Sequence, residues 1–172
     1  MAVDTALERL RHLPFEDLGF AKVDHHRSLR QGAPEAILCE GKTAAQIVGI
    51  ARKLIKQKVT VLATRIDAKT ARKLKRISRR AVYNKAARTV VIQLNSLKPQ
   101  GDILIVTAGT ADIPVAEEVK VTASAMGSAV ETLFDVGVAG VHRLLDSLDR
   151  IQRARVVAVS YTHLTLPTNR EV

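Results

Sequence analysis

The 172-residue sequence contains a single cysteine, no tryptophan, two tyrosines and three phenylalanines. One thiol, Cys39, excludes an internal disulfide and any metal site assembled from several cysteines. Aromatics at 3% leave little from which to build the stacking platforms that hold single-stranded nucleic acid. Nine glycines and five prolines are too few for a linker or a collagen-like chain. No run approaches the roughly 18 apolar residues that cross a bilayer, and residues 1–10 carry Asp4 and Glu8 in place of an apolar signal core. The chain does have 47% hydrophobic and 26% charged residues, a composition that buries a core. The expected setting is soluble, reducing and cytoplasmic, with no membrane partner.

The net charge of +10 is local. Residues 1–50 hold six basic and seven acidic side chains, and residues 91–172 hold seven and nine, so these segments carry −1 and −2. Residues 51–90 hold fourteen basic side chains against Asp67 alone, a net of +13.

Residues 4–13 read as a short helix stopped by Pro14. Residues 15–32 are polar, rich in His and Arg and without a clean period, and are expected to be ordered loop. Residues 35–39 read as a strand. A helix over 43–57 follows, because Thr43 and Gln46 make a capping box and Ile47, Ile50, Ala51, Leu54 and Ile55 recur at helical spacing. The β-branched run 59–64 is a strand. Residues 67–80 form a helix with Ala71, Leu74, Ile77 and Ala81 on one side and Lys69, Arg72, Lys73, Arg76, Arg79 and Arg80 on the other. Two further strands, 82–83 and 88–94, turn at Asn84. The segment 97–101, with Pro99 and Gly101, marks the boundary between a first domain (1–97) and a second (101–159).

The second domain reads strand (102–107), helix (113–126), strand (130–136), helix (138–148), strand (155–159). Alternation of this kind makes a parallel sheet, and the unbroken apolar run of Ile103 to Val106 fits a strand buried on both faces. The fold class is therefore α/β: a small N-terminal α+β domain, then a parallel three-layer α/β domain that looks incomplete with three strands.

The turn Thr107-Ala-Gly-Thr-Ala-Asp112 joins a parallel strand to a helix, where such sheets bind ligands. Gly109 allows close backbone approach, Thr110 offers a hydroxyl, and the helix N-terminus offers N–H groups to a phosphate. Pro114 suits a first helical turn. The plainer alternative is an ordinary strand-to-helix turn with Asp112 as N-cap. Gly41-Lys42-Thr43 is not a phosphate loop, because the glycine required five residues earlier is Ala36.

The run from Ile103 to Glu118 (ILIVTAGTADIPVAEE) resembles the opening of the phosphoribosylaminoimidazole carboxylase superfamily, in which a Gly-Ser-x-Ser-Asp turn holds a nucleotide's phosphate and ribose. It is most similar to the LarB family of that superfamily. Two further segments carry the same resemblance: Leu18-Gly-Phe-Ala-Lys-Val-Asp-His-His-Arg27, and Phe134-Asp-Val-Gly-Val-Ala-Gly-Val-His-Arg-Leu-Leu145. Together they cover residues 1–159 in the family's order.

The resemblance implies an N-terminal domain of the family's own type followed by a carboxylase-like domain. It implies a synthase of nickel-pincer cofactor biosynthesis that carboxylates the pyridine ring of nicotinic acid adenine dinucleotide with carbon dioxide or bicarbonate. The phosphoanhydride is split and AMP released, with no permanently bound cofactor, in a homo-oligomer of full-length chains. No metal site is expected from the residues themselves, because the adjacent His25 and His26 are poorly placed to share a metal's face and lack a paired Cys or His. By position, Gly109, Thr110, Ala111 and Asp112 would hold the nucleotide, Ala111 standing where the superfamily has serine. Lys22, Asp24, His25, His26 and Arg27 would contact substrate; from the residues alone they read as a solvated loop with local ion pairs. Asp135, His142 and Arg143 would lie beside the site, with Gly137 and Gly140 permitting a tight turn; alone, they read as packing glycines and a surface pair.

The family's attacking cysteine falls beyond residue 159, so no residue of this chain is assigned to catalysis, and Cys39 is not taken as its replacement. Residues 160–172 show neither the family pattern nor a period and are expected to be a non-native tail on a truncated, inactive chain. Two alternatives remain: a non-catalytic nucleotide-binding domain, or nucleic-acid binding by the basic helix 67–80. Against the latter, charge runs on amphipathic helices are commonly solvated faces, and that helix has no aromatic.

Overall fold

The computed structural model describes residues 15–17, 19, 22–24, 35–95 and 97–161. The helix expected over 4–13 lies outside them, as do residues 162–172 of the expected tail.

Strands β1 (Phe15–Asp17) and β2 (Lys22–Asp24) pair antiparallel, with Phe15 opposite Asp24 and Asp17 opposite Lys22. This corrects the loop expected over 15–32 at residues 15–17 and 22–24; residues 25–32 lie outside the described residues. Three-residue strands are too short to show a period of two, so their polar composition concealed them.

The next sheet has the order β3-β4-β6-β5, built from β3 (Ala36–Leu38), β4 (Val61–Thr64), β5 (Ala81–Asn84) and β6 (Thr89–Ile92). β3 and β4 are parallel and joined through helix α1 (Ala44–Lys56); β6 is antiparallel to both β4 and β5. α1 begins at the expected capping box: Thr43 Oγ1 accepts the Gln46 N–H (3.3 Å) and Gln46 Oε1 accepts the Thr43 N–H (2.9 Å). Helix α2 (Ala68–Ile77) starts at Asp67 and ends earlier than expected, because Ser78 turns to extended backbone and leaves Arg79 and Arg80 in a turn.

Both helices lie on one face of this sheet. Ile47, Ile50, Ala51 and Leu54 of α1 and Ala71 and Leu74 of α2 bury against Ile37, Val61, Ala63, Val90 and Ile92. Each large aliphatic side chain buried this way stabilises the fold by about 1.5–3 kcal/mol.

After Pro99 the chain enters β7 (Gln100–Thr107), α3 (Ile113–Ala125), β8 (Ser128–Leu133), α4 (Val141–Asp146), α5 (Leu148–Arg153) and β9 (Val156–Ser160). All three strands are parallel in the order β8-β7-β9, with Ile105 opposite Thr132 on one side and Ala158 on the other. Leu104, Val106, Leu133 and Val136 form a core with Leu144, Ile151 and Ala154 of the α4–α5 layer. By alternation, Ile105 and Thr107 face the other way, toward α3, which makes the three-layer α/β arrangement.

The single helix expected over 138–148 is instead a short 3-10 turn (Val138–Gly140), α4 and α5, interrupted at Ser147. Strand β8 begins and ends earlier than the run 130–136, so Asp135 lies in the loop beyond it. β9 reaches Ser160, one residue past expectation.

α3 also lies against β4 and β6, and Leu62 and Thr89, which are outside the core under α1 and α2, are buried as well. Asn84 Nδ2 donates to Glu117 Oε2 across this contact (3.1 Å). The helix is thus a layer common to both sheets. No helix among the described residues is long and apolar enough to cross a membrane.

Candidate functional site

Parallel strands place all their carboxyl ends at one edge, so the loops after β7 and β8 and the end of β9 converge there. The first is the turn 107–112. Val106 and Thr107 end the apolar run buried; Ala108 and Gly109 emerge half-buried, and Thr110 and Ala111 are exposed. A 3-10 turn (Thr110–Asp112) then leads into α3, with Pro114 in the helix's first turn.

Asp112 is only 4% exposed. Its side chain makes no cap hydrogen bond to α3, so the simple N-cap reading is not the observed geometry. Its Oδ1 instead accepts the Ser160 hydroxyl (3.4 Å), and its N–H donates to the Gly109 carbonyl (3.3 Å). The exposed Thr110 and the start of α3 lie at this edge, and a helix N-terminus is a favourable place for an anion.

Thr107 carries a role that sequence reading did not assign. Fully buried, it accepts the Asp135 N–H at its hydroxyl (3.2 Å) and the Val136 N–H at its carbonyl (3.0 Å). The Gly137 N–H donates to the Ala108 carbonyl (2.9 Å). The two loops are therefore stitched together residue by residue. The one visible signal was a hydroxyl residue closing an otherwise apolar strand.

This stitching brings Asp135 beside the 107–112 turn. Asp135 holds φ +60°, a left-handed conformation that Asp tolerates better than most residues. Its carboxylate pairs with the Arg143 guanidinium from α4. Gly137 has no room for a side chain, since a Cβ there would lie 2.7 Å from the Ala108 carbonyl oxygen. His142 is exposed on α4.

The structure thus brings together Gly109, Thr110, Ala111, Asp112, Asp135 and Arg143. Lys22 and Asp24 belong to β2, whose side chains are not described, and His25, His26 and Arg27 lie outside the described residues. Among the described residues, no three His, Cys, Asp or Glu side chains gather as a metal site would need.

Cys39 is buried, with its thiol against the Ile37 carbonyl oxygen (3.6 Å). Desolvation pushes its pKa up to about 11, overriding the lowering influence of Lys42, while Asp67 adds to the rise. A thiol so protonated is not a nucleophile at neutral pH.

An open hollow of about 700 Å³ lies elsewhere, between the first halves of β7 and β8 and the end of α5. It is at the amino edge of the sheet. Its Arg150 is engaged by Glu131 (3.3 Å) and the Thr132 carbonyl (3.0 Å). Concavity alone would point there, but the chemistry of a parallel sheet points to the carboxyl edge.

The family profile of the LarB/PurE-like N-terminal domain matches residues 15–95. An uncharacterized protein of Methanocaldococcus jannaschii is 38% identical over 137 residues, covering 76% of this chain and 54% of the relative. The chain spans about half the length of the curated relative it matches.

Proposed function

Residues 15–95 belong to the LarB/PurE-like N-terminal domain family, and from that premise we propose that the chain supplies the nucleotide-holding part of a pyridine carboxylase. The substrate is nicotinic acid adenine dinucleotide and the carboxyl donor carbon dioxide or bicarbonate. The phosphoanhydride is cleaved with release of AMP, within nickel-pincer cofactor biosynthesis, by a homo-oligomer without a permanently bound cofactor.

The observation that carries this reading is the stitched carboxyl edge. Thr107 and Ala108 tie the 135–137 loop to the 107–112 turn, so two loops present one surface to a ligand. The backbone N–H groups that open α3 receive a phosphate, and the Thr110 hydroxyl adds a donor. Gly109 leaves open space above the backbone, with nothing within 4 Å of where a Cβ would sit. Asp112, buried and acceptor-rich, receives a ribose hydroxyl. Arg143, held by Asp135, places a cation at the same rim. Fixing the nucleotide half this way orients the pyridine half and lowers the entropic part of the barrier. Ala111 offers no hydroxyl, so the phosphate is held by backbone groups and Thr110.

Calorimetric titration with AMP tests the reading. The chain binds AMP weakly, and Asp112→Ala weakens it by about 1–2 kcal/mol, roughly five- to thirtyfold. Equal affinity in the variant would remove Asp112 from the site.

A further inference from the structure

We propose that the outer face of the α1–α2 layer docks on duplex nucleic acid through its phosphate backbone, without reading base sequence. The basic helix read in isolation is a solvated face; the folded layer adds four observations.

The first is that the two helices share one sheet face, so their cations join. Arg52, Lys56 and Lys58 at the end of α1 and Lys69, Arg72, Lys73, Lys75 and Arg76 of α2 are all exposed. They belong to the segment that carries +13 against −3 for the rest of the chain.

Secondly, the described residues do not neutralise the cations of α2. Among the described residues no carboxylate lies within ion-pair distance of any α2 cation; Arg65, outside the helix, pairs with Glu40 (2.6 Å).

The third observation is mutual repulsion. Lys69–Arg72, Lys69–Lys73, Arg72–Lys75, Arg72–Arg76 and Lys73–Arg76 all stand three or four residues apart, where like charges repel. A face that only meets water avoids this by mixing signs, and α2 has no acidic residue.

Finally, what the face lacks selects the polyanion. No large apolar side chain of α1 or α2 is exposed, so nothing inserts below lipid headgroups or anchors a protein interface. Residues 44–80 contain no aromatic on which to stack single-stranded bases. A rigid cationic surface without anchors fits a regular array of charges. The ten-residue α2 is about 15 Å long, which matches the axial span of roughly four phosphates of one strand.

The test is fluorescence anisotropy with a random-sequence duplex of about 20 base pairs over a salt range of about 50–200 mM. The unmodified chain binds, and its affinity falls steeply with salt. In the triple variant Lys69→Gln, Arg72→Gln, Arg76→Gln, three phosphate contacts are lost, so the log–log salt slope shrinks by nearly 3. Its affinity at the lowest salt falls at least tenfold. The variant melts no lower than the parent, because repulsive pairs are removed, so weaker binding is not unfolding. Absence of duplex binding by the parent, or equal binding and slope in the variant, would overturn the proposal. Tighter binding to phosphatidylserine vesicles or to polyglutamate than to the duplex would do so as well.

Discussion

Two glycines at the candidate site separate function from packing. Gly137 is packing: its missing side chain is what lets its N–H reach the Ala108 carbonyl, and a Cβ would meet that oxygen at 2.7 Å. Gly109 sits in extended backbone (φ −138°, ψ 172°) that any residue adopts, with open space around it. Sterics within the chain do not demand a glycine there; on the proposed reading, the close approach of a ligand would. Gly137→Ala should therefore lower stability by about 1–3 kcal/mol and loosen the loop bearing Asp135. Gly109→Ala should leave stability within about 0.5 kcal/mol while reducing AMP affinity. Urea unfolding and AMP calorimetry on both variants read the two effects separately. Unaltered AMP binding by Gly109→Ala would make this turn a connection only. The turn itself was legible because glycine followed by hydroxyl and acid has local meaning. The demand at Gly137 was not, because the clashing atom belongs to a different loop.

Helices were the most legible elements, since cap and period both lie in consecutive residues. α1 starts at the Thr43–Gln46 box read from sequence, and α2 buries Ala71 and Leu74 as its period required. The β1–β2 hairpin and the break at Ser147 escaped because short strands carry too few residues for a period and because a helix interruption is set by tertiary packing. α2 bears repulsion of about 0.2–0.5 kcal/mol per like-charged pair, so its start must be well fixed. Asp67 fixes it: one carboxylate oxygen accepts the Thr70 N–H (2.9 Å) and the other the Thr70 hydroxyl (2.6 Å). The Thr70 hydroxyl first, then its N–H, hold the Asp67 pKa below the usual carboxylate range. A depressed folded-state pKa adds stability that is complete above the unfolded value of about 3.9 and is lost as pH falls through the folded value. Asp67→Ala should cost about 1 kcal/mol at neutral pH, and the gap from the parent should narrow as the pH drops below about 4. Urea unfolding of both proteins across that range checks it. A gap that stays constant into strong acid would show that carboxylate charge is not what stabilises the cap.

At the scale of the whole molecule, the parallel alternation after residue 101 was legible and the arrangement of layers was not. Nothing local in the sequence says that α3, which opens the candidate site, also covers the bare face of the first sheet at β4 and β6, with the Asn84–Glu117 hydrogen bond across the contact. That contact joins residues 33 positions apart, and long-range pairings leave no periodic trace. The order β8-β7-β9 has a further consequence: the outer side of β9 is unpaired among the described strands. Val156 and Val159 are 55% and 66% exposed, and Val157 is exposed as well. An apolar strand with free N–H and C=O groups along one side is a template for another strand. Natural edges are protected by lysine, proline or a bulge, and Val156–Ser160 contains none of these. Chains of residues 1–172 should therefore self-associate in a concentration-dependent way, and Val157→Lys with Val159→Lys should suppress it. Sedimentation velocity over a dilution series measures both. The parent's mean mass should rise with concentration while the double variant stays monomeric. A parent that remains monomeric throughout would mean that this edge is covered by a part of its own chain.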